Sequence, residues 1–136
     1  MAAPSACCKD PWHFFVLKSE EIRKKIASVL PNGGFLGEAP CGFVVCGDVS
    51  RAHGGELSFA LQDCSAAIEN LLIAATQMGL GGCWLAVHPR VERVQGIQQI
   101  LSLEPNRIPV AAVAIGWPAQ FPTPRTRYRD DTVTFC

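Results

Sequence analysis

Three arginines near the end of the chain, Arg125, Arg127 and Arg129, alternate with other residues. Side chains two positions apart in an extended segment share a face, so these guanidinium groups can converge on one phosphate group. A solvated basic stretch is the commoner origin of such spacing, and Asp130 and Asp131 follow directly, where they can neutralise the arginines. The alternation therefore indicates a candidate anion-binding arm and leaves both interpretations open.

Cysteines and histidines suggest a second kind of chemistry, nucleophilic catalysis. The neighbouring thiols of Cys7 and Cys8 are the candidate nucleophiles. His13 and His88 are the candidate bases, but the sequence does not fix their distance from either thiol. A redox-sensing thiol at Cys7 or Cys8 is a further alternative. Histidines and cysteines without a catalytic role remain the simpler interpretation.

The seven cysteines also bear on metal binding and on the cellular compartment. An odd number without a secretory signal argues against a disulfide framework and favours a reducing compartment, so we expect a cytoplasmic protein. The sequence contains neither a C-x-x-C pair nor an H-E-x-x-H motif. Cys41 and Cys46 lie five positions apart, next to the start and at the end of a predicted strand, so their side chains point to opposite faces and cannot chelate one ion. We therefore predict no metal site and interpret most cysteines as small buried hydrophobic residues.

The glycines of residues 79–82 (GLGG) resemble part of a dinucleotide-binding loop. The match fails because Trp84 occupies the place of the third glycine, and because the segment follows a predicted helix and precedes a predicted strand. We interpret these glycines as a helix end followed by a tight turn. They also allow a flat ligand to approach the backbone closely, and either Trp12 or Trp84 can wall a pocket for a planar ring.

Hydrophobic periodicity indicates the elements that must position these residues. Apolar runs predict strands over residues 13–17, 42–46, 83–87 and 109–116. Helical spacing predicts helices over residues 20–30, with Ser19 as the N-cap, 58–78 and 89–101. The helix over 58–78 is apolar on most sides, so we expect it to be buried or to lie in an interface.

The remaining segments are expected to lack regular structure. Residues 1–12, 31–41 and 51–56 carry proline or glycine and predict loops. The last twenty residues contain Pro118, Pro122 and Pro124 and predict an extended arm, with an edge strand at residues 132–135.

Composition excludes several classes of protein. The chain has 136 residues, one ordinary domain, with 49% hydrophobic and 18% charged residues, which argues against disorder. Its formal net charge of zero excludes a strongly basic nucleic-acid binder and offers no polybasic membrane patch. No apolar run approaches the roughly 20 residues that a membrane helix needs. From the residues alone we therefore predict an α plus β domain without nucleic-acid or membrane partners.

Five segments, in order along nearly the whole chain, resemble the FMN-dependent nitroreductase family. The first, residues 3–14 (APSACCKDPWHF), resembles the family signature APSxxNxxPWxF. The next two, residues 62–72 (QDCSAAIENLL) and 79–87 (GLGGCWLAV), resemble its central helix and the following strand. The last two, residues 114–118 (AIGWP) and 124–128 (PRTRY), resemble its final strand and C-terminal arm.

This resemblance implies an α+β fold as a single domain over residues 1–136: a nitroreductase-like central sheet flanked by helices, with a long apolar central helix and an extended C-terminal arm. It also implies a homodimer with FMN in the dimer cleft. NADH or NADPH would transfer a hydride to flavin N5, and the flavin would pass it to a nitro compound, quinone or similar small-molecule acceptor.

The resemblance also implies which residues contact the cofactor. The loop around Pro4 and Ser5 would touch the flavin ring held by the partner subunit, and the arm would reach the FMN phosphate. Backbone N–H groups of residues 85–87 would lie near flavin N5 and O4. The implied cofactor-binding residues are Pro4, Ser5, Cys8, Trp84, Leu85, Ala86, Val87, Arg125 and Arg127. No catalytic side chain is expected, because the flavin carries the chemistry.

The chain departs from the family pattern in ways that bear on cofactor binding. Cys8 stands where the signature has Asn, Asp10 stands where Gln is common, and Ala86 stands where relatives often carry Gly. We also expect the domain to lack the family's usual N-terminal helix, whose arginines would grip the flavin phosphate. Two hypotheses follow. The match favours an FMN oxidoreductase; the alternative is a non-catalytic nitroreductase-fold remnant or fragment that binds flavin weakly or not at all.

Overall fold

The computed structural model describes residues 2–136, in which a four-stranded sheet carries helices on both faces. The strands are β1 (Trp12–Leu17), β2 (Cys41–Asp48), β3 (Gly81–Ala86) and β4 (Arg107–Gly116). The helices are α1 (Glu20–Ser28), α2 (Gly34–Glu38), α3 (Leu57–Gln77) and α4 (Val91–Leu101). The predicted α+β fold is confirmed.

The strand order of the sheet decides which segments meet. The order is β1-β2-β4-β3, every neighbouring pair is antiparallel, and β1 and β3 are therefore the edges. The central strand β4 is buried from Pro109 to Ile115, which explains its continuous apolar run, since both faces are covered. The four predicted strands are confirmed, with ends shifted by one or two residues.

Two hydrophobic clusters fill the two faces of the sheet. One lies beneath α1, α2 and α4 and includes the fully buried Ile26 and Ile97. The other lies against α3 and includes the fully buried Ile68. Successive residues of β2 belong to different clusters, Val44 to the first and Val45 to the second, because side chains alternate along a strand.

Two predicted helix ends are confirmed by their capping bonds. The Ser19 side chain accepts a hydrogen bond from the Ile22 amide at 3.4 Å and caps α1. After α3, Gly79 adopts a left-handed φ of 75°, and the Leu80 amide donates to the Ala75 carbonyl at 2.8 Å. This is a Schellman cap, so these glycines end a helix rather than hold a dinucleotide.

Three expectations from the sequence were wrong. The segment after Gly33 forms the five-residue α2, which is too short to show a helical period. Helix α4 begins at Val91, two residues later than predicted, because His88 and Pro89 form a turn. Residues 132–135 form no strand; a 3-10 turn at Asp130–Thr132 replaces its start, and the sheet contains only β1 to β4 within the described residues. The predicted loops also contain 3-10 turns at Ala6–Cys8 and His53–Gly55.

The long helix α3 is buried on one side only. Its buried residues lie on a single stripe: Ala60, Asp63, Cys64, Ala67, Ile68 and Ala75. On the other side Ile73 is 48% exposed, and Met78, just beyond the helix, is 71% exposed. One copy of the chain therefore leaves an apolar surface of this helix uncovered.

Candidate functional site

The predicted cofactor loop begins the described chain and holds an uncommon backbone. Pro4 and Cys8 are exposed and Ser5 is half-buried. Three residues without the freedom of glycine adopt a left-handed φ: Cys7 at 49°, Cys8 at 52° and Asp10 at 47°. The loop is closed internally, because the Ser5 hydroxyl donates to Asp10 Oδ1 at 2.5 Å and accepts from the Asp10 amide at 3.0 Å. Such strained conformations concentrate at functional sites.

One buried carboxylate attaches this loop to the protein. The Ala6 amide donates to Asp63 Oδ1 at 3.0 Å, and within residues 2–136 this is the hydrogen bond that joins residues 4–10 to the rest of the molecule. Asp63 is 6% exposed, and its Oδ2 is buried without a partner in the described chain. Sequence reasoning missed this residue. The available signal was a charged side chain on the apolar stripe of α3.

We expect Asp63→Ala to release the loop and Asp63→Asn to retain it, because Asn keeps an oxygen acceptor for the Ala6 amide. Loss of one hydrogen bond to a charged group, about 1.5–3 kcal/mol, should increase loop opening about 10- to 100-fold. Limited trypsin digestion after Lys9 measures this opening. Cleavage of the Ala variant at the wild-type rate would show that Asp63 does not hold the loop.

At the opposite edge of the sheet, the end of β3 presents backbone groups outward. The Val87 amide donates to the Val110 carbonyl at 3.3 Å and therefore points into the sheet. Because backbone groups alternate along an antiparallel strand, the N–H and C=O groups of Leu85 also point toward β4. Those of Trp84 and Ala86 point away from the sheet. Of the amides at residues 85–87, that of Ala86 is thus free to face a ligand, whereas that of Val87 is already bonded.

The side chains of residues 84–87 alternate between the two faces of the sheet. Leu85 and Val87 are buried in the cluster beneath α4. Trp84 is 37% exposed and Ala86 is exposed on the face that carries α3. On that face Gly82 is needed for packing, since a Cβ there would lie 2.7 Å from Leu72 Cδ2. The exposed surface of β3 is therefore an aromatic ring beside small residues.

The two parts of the predicted site do not meet within one chain. The loop at residues 4–10 precedes β1, whereas residues 84–87 end β3, and two strands lie between them. Three strand spacings separate the edges by about 14 Å. Both parts nevertheless lie at the same end of the sheet, because Trp12 is opposite Gly47, Gly47 is opposite Ile108, and Val87 bonds to Val110.

The arm that carries the predicted phosphate contacts begins at the other end of the sheet. Arg125 and Arg127 are exposed, and neither forms an ion pair within the described part of the chain. Arg129 pairs with Asp131, as the sequence suggested for this acidic pair. The arm leaves the sheet after Gly116, which lies opposite Gly81 and so at the far end from the two other parts.

An apolar cavity lies between the N-terminal segment, β1 and α3. It has a volume of about 510 Å³, and its lining includes Ala3, Trp12, Phe14, Leu71 and Ile73. Trp12 is 7% exposed and belongs to the core, as expected for a large aromatic residue, while it also walls this cavity. Trp84 lies at the other edge of the sheet and does not line it.

The candidate nucleophiles are not assembled for catalysis. Among residues 2–136 no hydrogen bond joins a cysteine to a histidine, and His13 packs against Phe15 instead, with ring centroids 4.5 Å apart. Burial raises the pKa of the Cys46 and Cys64 thiols from an ordinary value of 9.0 to about 12, so both stay protonated. The described residues contain no group of three potential ligands that could hold a metal ion.

We expect Cys46 and Cys64 to resist alkylation in the folded protein between pH of about 7 and about 9, because only the thiolate reacts and their pKa stays well above this range. The exposed thiols should be alkylated in the folded protein: Cys7, Cys8, Cys83 and Cys136. Mass spectrometry after iodoacetamide treatment measures both groups, with denatured protein as the fully reactive control. Rapid labelling of Cys46 in folded protein would contradict its burial.

Comparisons with known proteins place this geometry in a family. The nitroreductase family model matches residues 27–117. A relative from Methanothermobacter thermautotrophicus, named as an NADH dehydrogenase/NAD(P)H nitroreductase, is 38% identical over 133 residues, which cover 98% of this chain and 69% of the relative. A relative of the same name from Archaeoglobus fulgidus is 38% identical over 118 residues, covering 87% of this chain and 67% of the relative.

The fold agrees with the sequence matches. A crystal structure of a protein with that name from Parabacteroides distasonis superposes with a TM-score of 0.91 at 34% identity, covering 99% of this chain and 78% of the other. Within residues 2–136 no helix combines the length and the hydropathy needed to span a bilayer. By its sequence and its fold, this chain belongs to the nitroreductase family.

Proposed function

We propose that this chain is an FMN-dependent NAD(P)H oxidoreductase that works as a homodimer and reduces nitro compounds, quinones or similar small acceptors. The observation that carries the proposal is the separation of the two cofactor segments at opposite edges of the sheet. A two-fold pair of chains can bring the loop of one copy to the β3 edge of the other. The exposed apolar surface of α3 in each chain supports such a pair.

The residues present suit a planar, polar-edged ring. Trp84 offers a flat apolar surface, and the outward amide of Ala86 offers a hydrogen-bond donor beside it. The loop of the partner copy, with Pro4 and Ser5, would cover the ring and exclude water. Arg125 and Arg127, which have no ion pair in the described residues, would hold the phosphate. When bound, FMN supplies two-electron transfer between NADH or NADPH and the acceptor.

We further propose that the 136-residue chain acts as one domain and works in the cytoplasm. All seven cysteines are free, and four of them are exposed, which suits a reducing compartment.

A non-catalytic nitroreductase-fold module is the second candidate. The arm with Arg125 and Arg127 leaves the sheet at the end away from the other cofactor segments, which favours it, because without the phosphate contacts flavin binding would weaken greatly.

The test is to purify the full chain with excess FMN, remove free FMN by gel filtration, and record the visible spectrum and the molar mass. Retention of about one FMN per chain on a dimer, with an absorption band near roughly 450 nm that NADH or NADPH bleaches, supports the enzyme. A folded dimer without flavin supports the non-catalytic module. A folded monomer without flavin contradicts the enzyme and the homodimer.

A further inference from the structure

Arg93 in the first turn of α4 reaches back to the free edge of β3. Its Nη1 donates to the Ala86 carbonyl at 2.8 Å. Because β3 is an edge strand and the backbone groups of Ala86 face away from β4, no neighbouring strand can donate to this carbonyl. The Arg93 guanidinium donates to it instead. The bond therefore fixes the orientation of the residue whose amide is the free donor at this edge.

The charge of Arg93 is not neutralised locally. The ion pairs of the described residues involve other side chains, so no carboxylate lies within 4.0 Å of this guanidinium. Its Nε is buried and has no hydrogen-bond partner in residues 2–136. A half-buried, uncompensated cation thus lies directly behind the outward-facing backbone of Ala86.

Other cations do not share this position. Arg90 is exposed, and only its backbone is bonded, with its amide donating to the Val87 carbonyl at 3.0 Å. Arg125 and Arg127 lie on the arm, which leaves the sheet at its opposite end. Arg93 is therefore the described cation whose side chain contacts the backbone of residues 84–87.

We propose that Arg93 is a positioning residue that holds Ala86 for the flavin and favours reduced over oxidised FMN, an inference that rests on the proposed function. Reduction adds negative charge to the flavin ring, and a fixed positive charge behind the edge stabilises that charge more than it stabilises the neutral ring. A hydrogen bond from an ionised donor also fixes the Ala86 carbonyl more firmly than a neutral bond would.

The test compares Arg93→Gln and Arg93→Lys with Arg90→Gln, which removes a nearby charge without removing the Ala86 bond. The measurement is the ratio of FMN dissociation constants in the oxidised and reduced states. Arg93→Gln should lower the preference for reduced FMN about tenfold, equivalent to a midpoint potential about 30 mV lower. Arg93→Lys keeps the charge and should recover most of the preference, and Arg90→Gln should leave it unchanged.

Hydrogen exchange in the flavin-free protein provides a second readout. Arg93→Gln should accelerate exchange at residues 86–90 relative to Arg90→Gln, whether or not FMN binds. If wild type binds FMN but Arg93→Gln and Arg90→Gln show the same ratio of oxidised to reduced FMN dissociation constants, the inference is overturned. The proposed function then stands. If wild type binds no FMN, both are overturned. Equal losses in Arg93→Gln and Arg90→Gln would also overturn it, since they would reflect net charge alone.

Discussion

Replacing both Arg125 and Arg127 with Gln is expected to weaken FMN binding by about two to four orders of magnitude. Each guanidinium can supply a charge-assisted hydrogen bond to the phosphate worth about 1.5–3 kcal/mol, and two together supply about 3–6 kcal/mol. Because neither arginine forms an ion pair within residues 2–136, their loss should leave folding nearly unchanged. Fluorescence titration with FMN at constant ionic strength measures the change.

Arg129→Gln is the matched control for this prediction. Arg129 belongs to the same arm, but its guanidinium already pairs with Asp131. We therefore expect a much smaller loss of affinity from this change. If the double variant binds FMN as tightly as wild type, the arm does not hold the phosphate, and the family resemblance at residues 124–128 concerns structure rather than cofactor binding.

Ile68→Ala is expected to lower the free energy of unfolding by about 2–5 kcal/mol, because it leaves a cavity in a closely packed core. Ile68 is fully buried between α3 and the sheet, where it packs in the cluster that contains Val45 and Val113. The loss should be the same at low and high protein concentration, since the side chain lies inside one copy. Urea unfolding followed by circular dichroism measures it as a lower midpoint with an unchanged slope.

Ile73→Ala makes the same chemical change five positions further along the helix, where the side chain is 48% exposed. In an isolated copy it should cost less than about 1 kcal/mol. If this surface is the dimer interface, the loss should grow as the protein is diluted, because dissociation then contributes. A large loss that does not depend on concentration would show instead that Ile73 packs within its own chain.

Most of the fold could be predicted because its signals are local. The apolar run of β4, the N-cap Ser19 and the glycine after α3 each act through neighbouring residues, and all three were confirmed. Helix α2 could not be predicted, because five residues give no period, and Leu36 makes it stable through burial that only the tertiary structure shows. The arm could not be assigned either, because its prolines and few periodic apolar residues give no clear local signal for a strand.

The candidate site was harder to predict because its geometry depends on strand order. The sequence does not indicate that β1 and β3 lie at opposite edges of the sheet. This arrangement separates Pro4 from Ala86. Asp63 and Arg93 act through single hydrogen bonds to backbone groups distant in sequence or across a turn. Neither belongs to a motif, so only the structure identifies them. The role of the segments that the resemblance marked remains a prediction.

The left-handed backbone of the N-terminal loop also offers a reason for the residue preference of the family signature. At Cys8, where φ is 52°, the signature carries Asn. Asn adopts this conformation more readily than other residues with a side chain, since its short amide can bond locally. A signature position can therefore reflect the backbone conformation required there as well as contact with a ligand. Here cysteine adopts the same backbone conformation with a side chain that favours it less.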